Sequence, residues 1–297
     1  MTTLRGRLRH DVPMARYTTW RVGGPAETVY EPADAADLAC FMTSDQRREP
    51  MLWLGLGSNL LVRDGGVRGS VIRLHRGLSD IEDLGAGRVR VGAGVPCAKL
   101  ARWCAKHGYA GGAFFAGIPG TVGGALAMNA GAWGGETWAQ VTAVQTVDPQ
   151  GELRERGLED FQTGYRTTQG PADEWFTAAW LAFVPGGDPD TLQAEMRGLL
   201  GERAETQPTG LPSGGSVFRN PPGDHAARLI EAAGLKGTQE GGAWVSDKHA
   251  NFIVHRGEAR AADIERLIRR VQRVVEETAG VALVPEVRIV GEASDDI

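Results

Sequence analysis

From Tyr109 to Gly135 the chain runs without one charged side chain, and glycine recurs at positions 111, 112, 117, 120, 123, 124, 131, 134 and 135. Each interior Gly costs a helix about 1 kcal/mol relative to Ala, and a proline such as Pro119 about 3 kcal/mol. Glycine also weakens a strand unless a ligand or another backbone must come close. The run is therefore expected to be neither an ordinary helix nor a strand. Two plain readings compete with a functional one. A membrane span would need sustained Leu, Ile and Val, which the run lacks, and a tightly packed core turn would need no ligand. The reading favoured is a backbone wrapped against a large ligand, with N–H groups free to hold phosphate.

The 42 glycines are about twice the usual share of roughly 7%. Hydrophobic content of 42%, charged content of 23% and 297 residues suit a globular chain large enough for two cores. The net charge is −5 with no run of Lys or Arg, so nucleic acid is not an expected partner. The opening residues lack an apolar h-region, no span is read, and three cysteines fit a reducing compartment. A cytoplasmic protein without a membrane partner is expected. Cys97 and Cys104 lie seven apart on one face of an expected helix with Leu100 and Ala101, where they read as core rather than metal ligands, with His107 beyond them. No metal is expected.

Along the chain, a helix is expected over 34–42 and a buried strand over 51–54, directly before Gly55-Leu56-Gly57-Ser58-Asn59-Leu60. That loop is no dinucleotide fingerprint: Leu60 replaces the third glycine, and Leu61-Val62-Arg63-Asp64-Gly65-Gly66 follows where a helix belongs. Its glycines and donors still suit phosphate. A helix is expected from Pro96 to His107, strands over 141–147 and 178–184, and a Pro/Gly cluster at 185–189 marks a boundary. Beyond it come helices over 190–204, 224–233 and a last one ending at Gly280, with strands over 243–246 and 251–255.

Gly117-Ile118-Pro119-Gly120-Thr121-Val122-Gly123-Gly124 with Met128-Asn129-Ala130-Gly131, then Pro212-Ser213-Gly214-Gly215-Ser216-Val217-Phe218-Arg219-Asn220-Pro221, then Pro285-Glu286-Val287-Arg288 stand in one order along the chain. Together with the loop at Gly55, they resemble the UDP-N-acetylenolpyruvoylglucosamine reductase (MurB) family over about residues 18–292. The resemblance implies an α+β fold: a two-lobed FAD-binding domain of the vanillyl-alcohol-oxidase (PCMH) type over 1–187, with lobes about 1–75 and 76–187, and a smaller substrate-binding domain over 188–297. It implies an NADPH-dependent flavoenzyme of peptidoglycan synthesis that reduces the enolpyruvyl ether of UDP-N-acetylglucosamine to UDP-N-acetylmuramate. FAD is expected to be held noncovalently by Gly55, Gly57, Ser58, Asn59, Gly117, Ile118, Pro119, Gly120, Thr121, Gly123, Asn129, Gly131 and Arg288. The protein is expected to be a monomer.

Reducing CH₂=C(OR)–COO⁻ with hydride requires a cation, an acid for the carboxylate oxygen and a proton donor, because an enolate dianion develops. The resemblance places these roles on Arg166, Glu286 and Ser216. Arginine is a permanently charged fork matched to carboxylates. Glu286 acts in this way only if burial or like charge keeps it protonated. Ser216 is no nucleophile elbow, since Phe218 stands where the second glycine belongs. Arg288 is expected to point the same way as Glu286 by strand period. Tyr165, Arg219, Asn220 and His249 are the expected substrate contacts. Thr168 stands where the family usually has Ser, and His255 where it often has Asn; no role is assigned to His255. The competing readings are another flavin oxidase or dehydrogenase and a UDP-sugar binder that has lost its chemistry.

Overall fold

The computed structural model describes residues 3–294. Its compact units do not follow chain order. Among the described residues, one unit comprises 3–10, Thr28–Leu56 and Gly69–Glu202, and the other Asp11–Glu27, Gly57–Arg68 and 203–294. The last junction falls between Glu202 and Arg203, inside the helix Pro189–Thr206 and beyond the Pro/Gly cluster at 185–189. The two earlier segments join the second unit through buried side chains and strand pairing, which composition does not reveal.

The first unit holds a five-stranded antiparallel sheet in the order Leu153–Arg156, Val141–Val147, Trp175–Ala182, Arg88–Gly92, Ile81–Gly85. Val89 and Val91 are buried while Arg88 is exposed, the alternation of a sheet with one covered face. The helix Cys97–Lys106 follows Pro96, buries Cys97, Leu100, Ala101 and Cys104, and stops at His107 before Gly108 at φ +69°. Burial pushes both thiols up, Cys104 to about 12, so they pack as small hydrophobes beside Phe115 and Leu126. His107 is held by the Trp103 carbonyl, 2.8 Å from Nδ1. Among the described residues no cluster of His, Cys, Asp and Glu could hold a metal, and no helix is long and apolar enough to cross a membrane.

The uncharged run departs from expectation. It contains a 3-10 turn at Ala113–Gly117 and an α-helix at Val122–Met128. The helix tolerates Gly123 because a Cβ there would meet the Ala93 Cβ at 2.9 Å: the residue is chosen for close packing. A strand expected from Ala178 also begins earlier, at Trp175, where its ring stacks on Trp53 with centroids 4.8 Å apart.

The second unit folds the helix Ala261–Ala279 over the strands Gln239–Glu240, Ala243–Val245 and Ile253–His255. Ile264, Leu267, Ile268, Val271 and Val275 form its buried stripe, and Gly280 ends it at φ +67°. The Arg63-Asp64 pair belongs here because Asp64 accepts the N–H groups of Ala261 and Ala262 at 3.0 and 2.9 Å, capping that helix. Arg63 forms a two-pronged pair with Glu265 at 2.8 and 3.0 Å. Trp20 is fully buried and donates from Nε1 to the Ile253 carbonyl at 2.9 Å.

In the first unit Asp37 is almost fully buried and accepts from Tyr30 Oη at 2.6 Å, Ala33 N at 2.9 Å and Arg5 N at 2.7 Å. Burial is the largest single influence and raises its pKa, but these donors together hold it below the ordinary carboxylate value. Asp37→Ala leaves buried donors unpaired and is expected to lower stability by about 2–4 kcal/mol at pH 7. A folded pKa below the unfolded value means that this stabilisation is whole above about pH 4 and is lost as pH falls further. Urea unfolding at pH 7 and pH 3 should show the gap between wild type and variant narrowing; a gap that ignores pH contradicts the assignment.

Candidate active site

In the first unit Arg166 sits at the tip of a hairpin between Gln162–Gly164 and Thr167–Gln169, closed by the Gly164–Thr167 pair. It is the second of two turn residues and has φ +54°, where Gly or Asn is the usual choice. An arginine held there carries strain of order 1–3 kcal/mol, the kind of outlier that marks functional sites. Three bonds hold it. Asn129 donates from Nδ2 to the Gly164 carbonyl at 3.2 Å, Thr168 donates from Oγ1 to the Leu126 carbonyl at 2.7 Å, and Arg166 Nη1 reaches the Gly131 carbonyl at 3.3 Å. Thr168 therefore ties the hairpin to the C-terminal turn of Val122–Met128, a task its hydroxyl performs as a serine would. Tyr165 is 53% exposed, with the guanidinium 5.6 Å from its ring centre.

Asn129 ends the helix Val122–Met128 in the left-handed conformation, φ +43°, which asparagine tolerates. Its amide also accepts the Trp138 N–H at 3.1 Å and donates to Glu136 at 3.1 Å. At the other end Thr121 caps the helix, and a Cβ on Gly55 would collide with its hydroxyl. The structure thus brings the Gly55 turn against the Gly117–Thr121 turn. Gly117 lies beneath the Trp133 ring and Gly131 against the Gly135 backbone. Ile118 is buried, Pro119 exposed, and the Gly120 carbonyl accepts from Cys97 N at 2.9 Å. These glycines make room for protein, while N–H groups stay available: among the described residues, those of Gly120 and Thr121 meet no acceptor.

In the second unit Gly57 takes φ +65°, and a Cβ there would strike the Tyr17 carbonyl. The Ser58 N–H meets no acceptor among the described residues. Asn59 joins two candidates: Nδ2 donates to the Glu286 carbonyl and its own carbonyl accepts from Arg288 N, both at 3.0 Å. Ser216 and Glu286 are brought onto neighbouring extended segments. Glu286 N donates to the Val217 carbonyl at 2.8 Å, Arg219 N to the Val284 carbonyl at 2.9 Å, and Phe218 bridges Pro285. Gly215, at φ +75°, turns the chain into Ser216, and Gly214 lies flat on Trp20. The strand starts at Arg288, and across 286–288 only Val287 is buried; Arg288 is exposed and Glu286 half-buried.

The other expected contacts fall in the same unit. Arg219 is half-buried, and its buried Nε has no hydrogen-bond partner among the described residues, which suits an anion. Asn220 Oδ1 accepts from Ala226 N at 3.1 Å, starting the helix Ala226–Ala232 and leaving its NH₂ to donate elsewhere. Burial lowers the pKa of His249, and its Nδ1 accepts from Asn251 N at 3.3 Å, so a neutral ring presents Nε2–H. His255 is buried and bonded to the Trp20 carbonyl and Gly257 N, a structural place. Sequence reasoning passed over Asn251, whose side chain grips Phe218; the available signal was one polar residue in the apolar stretch Ala250–Val254. A cavity of about 300 Å³ is lined by Gln207, Pro208, Trp244, Lys248 and Arg256, with the Arg256 guanidinium 5.3 Å from the Trp244 ring centre.

Unbonded N–H groups in glycine-rich turns beside a helix start are a fitting frame for a phosphate-bearing cofactor. Residues 26–157 match the model of an FAD binding domain, and residues 207–290 that of the UDP-N-acetylenolpyruvoylglucosamine reductase C-terminal domain. The chain is 60% identical over 288 residues to the UDP-N-acetylenolpyruvoylglucosamine reductase of Alkalilimnicola ehrlichii, covering 97% of this chain and 96% of that one. It is 56% identical over 289 residues to that of Methylococcus capsulatus, covering 97% and 95%. The solved reductase (MurB) of Thermus caldophilus superposes with a TM-score of 0.82 at 34% identity, covering 97% of this chain and 99% of that one. The fold is the expected α+β arrangement of an FAD-binding domain and a C-terminal domain. On these findings the chain belongs to the UDP-N-acetylenolpyruvoylglucosamine reductase family and is an FAD-dependent oxidoreductase.

Proposed function

We propose that this enzyme reduces UDP-N-acetyl-3-O-(1-carboxyvinyl)-glucosamine to UDP-N-acetylmuramate for peptidoglycan precursors, with NADPH as reductant, as a cytoplasmic monomer. In this reading residues 1–187 form the FAD-binding domain, which also lends Tyr165 and Arg166 to the substrate, and 188–297 form the substrate-binding domain. The observation that carries it is the backbone pairing of Val217–Arg219 with Val284–Glu286, which brings together the segments that bear Ser216 and Glu286 in the region matched to the family's C-terminal domain.

The Gly55–Asn59 and Gly117–Thr121 turns would hold FAD, which when bound would supply hydride chemistry with NADPH as the reductant. Addition at the terminal CH₂ is the only choice that leaves the new charge conjugated with the carboxylate, giving an enolate with two negative charges. Arg166 offsets that charge with a fork pre-set by its turn. Glu286 bonds the carboxylate oxygen in its protonated form. Ser216 gives its proton to the adjacent carbon; serine is a weak acid, but a carbanion is basic enough to take the proton. Arg219, Asn220, His249 and Tyr165 supply a cation and neutral donors for the diphosphate and sugar.

Denaturing the holoenzyme is expected to release all flavin to the supernatant, whereas yellow colour left on the precipitated chain would show a covalent link. Arg166→Met and Glu286→Gln are expected to lower kcat by about two orders of magnitude, as for loss of one oxyanion donor, with a smaller change in KM. A raised KM with normal kcat would make them binding residues alone.

Ser216→Ala is expected to separate the half-reactions. Flavin reduction by NADPH involves no enolate and stays near wild type, while reoxidation by the enolpyruvyl sugar slows severely. Ser216→Cys should partly restore reoxidation, because a thiol with an ordinary pKa of about 8.5 is an adequate acid. Stopped-flow flavin absorbance reads both steps. Equal slowing of the two, or untouched reoxidation, rules out the proton-donor role.

A further inference from the structure

We propose that Asn251 is a positioning residue for Ser216 and Glu286, acting through the backbone of Val217 and Phe218; the inference rests on the reading of Ser216 as proton donor. Asn251 is 4% exposed, between buried Ala250 and the buried run Phe252-Ile253-Val254. A buried amide is costly unless its bonds are made. Here Oδ1 accepts from Phe218 N at 2.9 Å and Nδ2 donates to the Phe218 carbonyl at 2.8 Å. The backbone carbonyl of Asn251 accepts from Val217 N at 2.9 Å.

A regular extended chain turns successive N–H and C=O pairs to opposite edges; Val217 departs from this, its carbonyl meeting Glu286 N and its N–H the Asn251 carbonyl. The Val217 carbonyl and the Arg219 N–H are spent on Glu286 and Val284. Phe218 therefore presents its pair to the other edge, and there the Asn251 amide stands in for a strand. Its two bonds set the rotation of the peptides just after Ser216. Glu286 hangs from the Val217 carbonyl, so a turn of those peptides displaces both groups together. A misplacement of about 1 Å in an oriented site can cost on the order of 100-fold in rate.

The test uses holoenzyme with Asn251→Leu, which keeps the branched shape and removes both bonds, and Asn251→Ser, which supplies a hydroxyl. Flavin reduction by NADPH is expected within about twofold of wild type, and reoxidation by the enolpyruvyl sugar slowed by about 10- to 100-fold in the Leu variant and less in the Ser variant. In a Ser216→Ala background, either change should slow reoxidation by clearly less than it does in wild type, because the share that acts through Ser216 is already lost and only the share through Glu286 remains. Hydrogen exchange is expected to lose protection at residues 217–219 while Ala261–Ala279 keeps its own. Several results overturn the proposal: wild-type reoxidation, equal slowing of both half-reactions, additive slowing with Ser216→Ala, or unchanged exchange at 217–219. Failure of both variants to fold or hold flavin overturns it too, since Asn251 would then be a requirement of the fold. Ser216→Ala with wild-type reoxidation would instead sink the proton-donor reading. Slow Ser216→Ala with fast Asn251 variants would sink the positioning role alone.

Discussion

Close approach of backbone to its surroundings, possible only where a Cβ is missing, is the constraint on which the candidate site depends. Gly123 lets the helix Val122–Met128 settle against Ala93, Gly117 admits the Trp133 ring, and Gly135 lies on the Phe114 ring at 2.5 Å from where its own Cβ would stand. A side chain at Gly123 would push the helix outward and carry Thr121 and Asn129 with it. Those two residues are the helix's caps, and Asn129 is also an anchor of the Arg166 hairpin. Packing that looks remote from chemistry thus sets where a guanidinium stands.

The same economy of parts appears within each unit. Asn59, Asn251 and Asn129 each use a side-chain amide to bond backbone where no neighbouring strand is available. An amide offers donor and acceptor at fixed separation, so it reproduces a peptide's edge without the chain behind it. The result is irregular backbone whose buried groups are nevertheless bonded, as they must be. Irregularity of that kind, in contrast to a regular strand, can place a hydroxyl and a carboxyl on chosen segments without forcing the alternation of a pleat.

Much of the fold was legible because it rests on local signals. Asp34 and the apolar spacing after it announce Ala35–Met42, and Gly280 announces the end of the last helix. What escaped were features decided by distant residues. The membership of 57–68 in the second unit depends on Asp64 capping a helix that begins at Ala261, and on Leu60–Val62 pairing in parallel with Arg288–Val290. The helix inside the glycine run escaped because propensity opposes it; packing against Ala93 overrides a cost of about 1 kcal/mol per glycine. The Arg166 hairpin escaped for the opposite reason, since nothing in Gly164-Tyr165-Arg166-Thr167 announces a turn with arginine at positive φ.

That last case shows how strain and function meet. A glycine at residue 166 would relieve the turn, yet it would remove the fork that the proposed chemistry needs. The hairpin keeps arginine because Asn129 and Thr168 hold its two arms independently of the tip. The arms are bonded to the C-terminal turn of one short helix, so the tip inherits that helix's rigidity rather than the freedom of an exposed loop. A charged group placed in this way needs little reorganisation when charge develops, which is the condition under which a fixed cation lowers a barrier rather than merely binding an anion.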